Sequence, residues 1–165
     1  MRGKPPRRDK VQFIEGANYV FKKTADSGIR ASVKYIGNIG VLPAAVQESM
    51  KRSEQALSKF QSSGKTIFVA VAYGSRHEII DAVNSAVREG KPVSEESFLS
   101  SLSMPLEPEL IIRTGGERRL SNFLLYQVSY SELYFSKKLF PDFTNKDLDK
   151  AFKWYSRRNR KFGLI

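Results

Sequence analysis

Two short apolar runs, residues 66–72 (TIFVAVA) and 109–113 (ELIIR), set the strongest limit on what this chain can fold into. Each is too short for a buried helix. The first is rich in β-branched residues, the pattern of a strand covered on both faces in a parallel sheet. Covering layers are available in the sequence. Apolar residues at helical spacing mark helices from residue 11 to about 25, from Pro43 to about 61 and over 77–88, and Ser94 with Glu95 and Glu96 in the first turn marks a short one over 94–102. Further helices are expected over 121–130 and from Thr144 or Asn145 to about Arg160, and further strands over 31–36 and 132–136. Strands alternating with helices predict an α/β architecture, a mostly parallel sheet flanked by helices, in one domain over 1–165. The chain opens on a helix where such folds usually open on a strand.

Charge narrows the partners. Lys and Arg number 28 against 17 Asp and Glu, a formal +11. That balance suits a polyanion: nucleic acid, an anionic membrane face or phosphorylated small molecules. The first ten residues, MRGKPPRRDK, read as a basic extended lead-in or a solvated tail. Phe123, Tyr126, Tyr130, Tyr134 and Phe135 follow element periodicity, so core packing suits them better than base stacking. No cysteine is present, which rules out disulfides and thiolate metal sites. No apolar run approaches the roughly 20 residues that span a bilayer. The expectation is a cytoplasmic protein, at most membrane-peripheral.

In open parallel sheets, ligands bind beyond the carboxyl ends of the strands. Two segments fall there: Tyr73-Gly74-Ser75-Arg76-His77-Glu78, and the stretch from Arg113 to Asn122. In the second, Gly115 and Gly116 would let backbone amides approach an anion, and Ser121 would cap the helix expected to follow. Arg113 and Arg119 flank this point, and guanidinium groups bind phosphate oxygens through paired, charge-assisted hydrogen bonds. The set reads as a pyrophosphate cradle or as a glycine turn with solvated arginines. It is not a P-loop, whose spacing is missing. Glu132 reads as a Mg²⁺ ligand or as a surface acid paired with a Lys or Arg. His77, the only histidine, fits packing or capping better than catalysis.

The stretch from Glu109 to Phe135, ELIIRTGGERRLSNFLLYQVSYSELYF, resembles the signature of cis-prenyltransferases, the synthases of undecaprenyl and dolichol-type diphosphates. The resemblance continues through Phe140-Pro141-Asp142-Phe143. Upstream, AYGSRHEIIDAV resembles the family's Y-x-x-R-x-E-I segment. Ile36-Gly37-Asn38 with Leu42-Pro43 resembles its I-G-D…L-P segment, with Asn38 for Asp, and Lys4-Pro5 falls where Arg-Pro would.

The resemblance implies condensation of isopentenyl diphosphate onto an allylic diphosphate, with Mg²⁺ as Lewis acid and template. Arg113, Arg119 and Ser121 would hold the diphosphate of isopentenyl diphosphate, and Glu132 would help organise the metal. Gly115, Gly116, Glu117, Asn122 and Arg76 would support them. The family's C-terminal Arg-x-Gly element, which reaches a dimer partner's site, reads Arg160-Lys161-Phe162-Gly163 here, so Lys161 replaces its Arg. The family's opening segment, with its catalytic Asp and first strands, has no counterpart in this sequence. The expectation is therefore a chain inactive alone, acting as a homodimer or with a complementary chain. Non-catalytic accessory subunit is the alternative, and basic nucleic-acid binder a distant third.

Overall fold

The computed structural model describes residues 22, 26 and 28–159. The helix expected from residue 11 to 25, the Lys4-Pro5 pair and the tail from Arg160 to Gly163 lie outside them. The chain divides into two compact units, one ending at Tyr73 and one beginning at Gly74.

In the first unit, β1 (Ser32–Ile36) pairs in parallel with β2 (Thr66–Ala70), in register Ser32↔Thr66 through Ile36↔Ala70. The crossover between them carries α1 (Ala44–Leu57), which runs on as a tight 3-10 segment to Ser63. Pro43 precedes the helix as expected, with its carbonyl accepting from the amides of Val46 and Gln47. Val46, Met50 and Leu57 recur on one face of α1 and bury against Val33 and Tyr35 of β1. Gly37 is required where β1 ends: it has φ +112°, and a Cβ there would lie 2.2 Å from the Val71 carbonyl oxygen.

In the second unit, α2 (Ser75–Glu89) and α3 (Glu95–Ser101) precede β3 (Leu110–Arg113). β4 (Glu132–Phe135) pairs with β3 in parallel, in register Leu110↔Glu132 through Arg113↔Phe135. α4 (Asn145–Tyr155) follows, with Trp154 packed on Tyr134 of β4 at 5.4 Å between ring centroids. Its entry is fixed by Asp147, whose carboxylate accepts from Lys138 Nζ at 2.8 Å and from the hydroxyl and amide of Thr144 at 2.6 and 3.0 Å. Those hydrogen bonds, Lys138's first, hold the Asp147 carboxyl well below the usual carboxylate range.

The α/β class and parallel pairing thus match the sequence reading, as two strand pairs among the described residues. Two expectations are corrected. Residues 121–130 form successive turns rather than a helix, because Ser121, Asn122 and Leu124 all adopt positive φ. On α2 the sequence puts Ile79, Ile80, Val83 and Val87 on one apolar face, yet Ile80, Val83 and Val87 are exposed and only Ile79 is half-buried, while the buried positions are Ser75 and Ala82. Packing there selected the side carrying Glu78, whose carboxylate accepts from Gln127 Nε2 and the Ser103 amide.

Candidate anion-binding site

The parallel register brings Arg113 to the carboxyl end of β3, beside the carboxyl end of β4. Gly115 and Gly116 follow at φ +89° and +81°, a left-handed turn that glycine makes without steric penalty. Their amides do not stand open to an anion, which corrects the sequence expectation. Gly115 N–H donates to the Lys138 carbonyl at 2.7 Å, and Gly116 N–H to the Ser136 carbonyl at 2.9 Å. The Ser136 amide donates back to the Arg113 carbonyl at 2.8 Å, so the turn prolongs the ladder between the two strands.

The side chains are what gather. Arg113 Nη1 donates to the backbone carbonyl of Arg119 and, at 3.2 Å, to Ser121 Oγ. A Ser oxygen that accepts from Arg113 keeps its own O–H to donate elsewhere. Arg119 Nη1 pairs with Glu117 Oε2 at 2.6 Å on the exposed surface. Arg113 and Arg119 line one cavity of about 280 Å³, with Ile112, Leu120, Phe123 and Phe135 supplying an apolar wall. Charged donors and hydrocarbon lining one cavity suit a small ligand with an anionic head and an apolar tail.

Glu132 is not part of this group. It pairs with Leu110 at the amino end of the strands, three residue steps from Arg113. That is about 10 Å along the strand. Arg158 Nε donates to its carboxylate at 3.0 Å. Strand direction is the physical reason: in a parallel pair, the start of one strand cannot sit beside the end of the other. The described residues contain no group of three or more His, Cys, Asp or Glu able to hold a metal ion. Glu117, which stands beside these arginines, is engaged by Arg119. These side chains do not fit a metal site built from protein ligands alone.

Of the supporting residues, Asn122 and Arg76 meet through the Asn122 side chain and the Arg76 amide rather than the guanidinium. His77 lies exposed in the first turn of α2, its amide donating to the Gly74 carbonyl, in keeping with a structural place. Lys161 and Gly163 are outside the described residues. Sequence reasoning missed Ser75, fully buried, whose Oγ accepts from the Leu125 amide at 2.9 Å. It also missed the cavity wall of Leu120, Phe123 and Phe135, of which periodicity assigned Phe123 and Phe135 to the core.

The family model for undecaprenyl diphosphate synthase matches residues 9–163. An isoprenyl transferase of Thermotoga maritima is 44% identical over 141 residues, covering 81% of this chain and 60% of that protein. A tritrans,polycis-undecaprenyl-diphosphate synthase (geranylgeranyl-diphosphate specific) of Pyrococcus abyssi is 39% identical over 151 residues, covering 86% of this chain and 56% of that protein. The crystal structure of lavandulyl diphosphate synthase from Lavandula x intermedia, in complex with dimethylallyl diphosphate, matches with a TM-score of 0.83 at 32% identity. That match covers 97% of this chain and 73% of the other. The chain thus spans somewhat over half the length of the curated relatives it matches.

Proposed function

This chain belongs to the undecaprenyl diphosphate synthase family, and we propose that it carries the isopentenyl-diphosphate half of a cis-prenyltransferase site. The observation that carries this reading is the convergence of Arg113, Arg119 and Ser121. The two arginines line one cavity and Arg113 touches Ser121. Arg113 and Arg119 supply two fixed cations for the linked phosphates, and the Ser121 O–H adds a neutral donor. Diphosphate binding displaces Glu117 from Arg119, a small cost for an exposed ion pair. The wall of Leu120, Phe123 and Phe135 receives the five-carbon tail.

In the reaction read here, the allylic carbon–oxygen bond breaks and inorganic diphosphate leaves. The double bond of isopentenyl diphosphate forms the new carbon–carbon bond, and a proton is lost. The residues of this chain bind and orient the nucleophilic partner; they supply position and charge rather than a covalent step. Magnesium fits best as an ion that arrives on the diphosphate, since Mg²⁺ takes one or two carboxylates plus substrate phosphates.

The reading carries with it a second prenyltransferase chain as partner and a place in the cytoplasm or at a membrane face, because the product is a lipid. Among the described residues no helix is long and apolar enough to cross a membrane. Titration calorimetry with isopentenyl diphosphate tests the reading. Saturable binding by the wild-type chain, abolished in Arg119→Ala, is the expected result. Absence of wild-type binding would leave the accessory-subunit reading in its place.

A further inference from the structure

The turn that carries Ser121 is conformationally costly. Ser121, Asn122 and Leu124 take φ values of +50°, +65° and +47°. Asn tolerates that region; Ser and Leu do not adopt it unless something holds them there. The holding contacts come from the start of α2, 46 residues away in sequence. The Ser75 amide donates to the Asn122 carbonyl at 2.9 Å, and the Arg76 amide donates to Asn122 Oδ1 at 2.8 Å. In return, the Leu125 amide donates to Ser75 Oγ at 2.9 Å.

The first amides of a helix lack intrahelical partners, and a capping side chain normally just before the helix accepts from them. Here that position is Gly74, which has no side chain, and Asn122 supplies the cap from a distance. Gly74 also leaves the room: a Cβ there would fall 2.8 Å from Asn122 Nδ2. The helix start is therefore engaged by Asn122 rather than offered to a substrate anion. Asn122 adjoins Ser121, and Ser121 Oγ receives the Arg113 guanidinium.

We propose that Asn122 and Ser75 are positioning residues: they latch the left-handed turn to the head of α2 and thereby aim Ser121 and Arg113 at the diphosphate. The proposal rests on the diphosphate reading for its consequence, and on the α2 contacts for its geometry. Two variants separate latch from fold. Asn122→Gly accepts the positive φ without strain but removes Oδ1. Ser75→Ala removes the bond to the Leu125 amide. Each is expected to weaken inorganic pyrophosphate binding by about tenfold, the loss of one hydrogen bond's worth of alignment.

A ligand-free measurement keeps the latch testable if the diphosphate reading fails. In ¹⁵N spectra, the Arg113 guanidinium of the wild type should show restricted rotation, with the signal assigned through Arg113→Lys. That restriction should be lost in Asn122→Gly and retained in Asn122→Asp, which keeps the acceptor oxygen. Absence of wild-type pyrophosphate binding with the spectral pattern intact would overturn the diphosphate reading and leave the latch standing. An Arg113 signal unchanged in Asn122→Gly, or lost equally in Asn122→Asp, would overturn the latch, as would wild-type pyrophosphate affinity in both binding variants.

Discussion

Arg113 and Ser121 stand eight residues apart in sequence, yet Nη1 of the first donates to Oγ of the second across 3.2 Å. The contact spans the exit of β3 and the turn beyond it. It fixes the guanidinium and leaves the hydroxyl proton to point at a ligand. Ser121→Ala should weaken inorganic pyrophosphate binding by about ten- to a hundredfold, the range for hydrogen bonds to charged groups. Arg113→Lys should do comparable damage, because a point charge cannot bridge Ser121 and a phosphate at once. Calorimetry at fixed salt measures both, and a Ser121→Ala affinity equal to wild type would remove the hydroxyl from the site.

Glu117 is paired with Arg119, so an anion that uses Arg119 must displace it. Glu117→Gln should raise metal-free pyrophosphate affinity by about two- to fivefold, matching the worth of an exposed ion pair. The gain should shrink as salt rises. A loss of affinity at low salt would show that Glu117 assists the ligand rather than rivals it.

Glu132 sits at the other end of the strand pair, bonded to Arg158. Glu132→Gln should change metal-free pyrophosphate affinity by less than about twofold, since a Debye length of about 10 Å screens most of its field. The same calorimetry with and without Mg²⁺ isolates any metal-borne effect. A large change in the metal-free experiment would contradict the register.

Asp147 gives the second unit a pH-dependent contribution. Lys138 and Thr144 depress its pKa in the folded state. At pH near 4, the unfolded chain takes up a proton that the folded chain refuses, so stability rises with pH through that window. Asp147→Asn should therefore melt below wild type at pH 7 and at pH 5. The gap should narrow as pH falls below about 4 toward the folded-state value. A gap that stays constant down to pH 3 would show that Asp147 acts through shape and not charge.

What the sequence made legible, and what it hid, divides along local and non-local physics. The runs at 66–72 and 109–113 were readable because continuous β-branched and apolar residues leave few alternatives to a strand. Arg113, Arg119 and Ser121 were readable as a group because their spacing is local. The turn at 121–130 was not, because its left-handed residues are held by Ser75 and Arg76, far away in sequence. Gly115 and Gly116 announced a turn correctly, but nothing in their identity says that Lys138 and Ser136 take their amides. Glu132 was misplaced for want of strand direction: a residue that opens a parallel strand stands opposite the end where ligands gather. The α2 stripe misled because apolar spacing names a face without naming the side that packs.

The distant cap on α2 also orders events in time. Helices can form from near neighbours, whereas the contact between Arg76 and Asn122 must first close a long loop of chain. Ligand competence should then mature after the local structure during refolding. In a stopped-flow experiment, ellipticity should recover ahead of pyrophosphate affinity, and the lag between them reports the closure of that single joint.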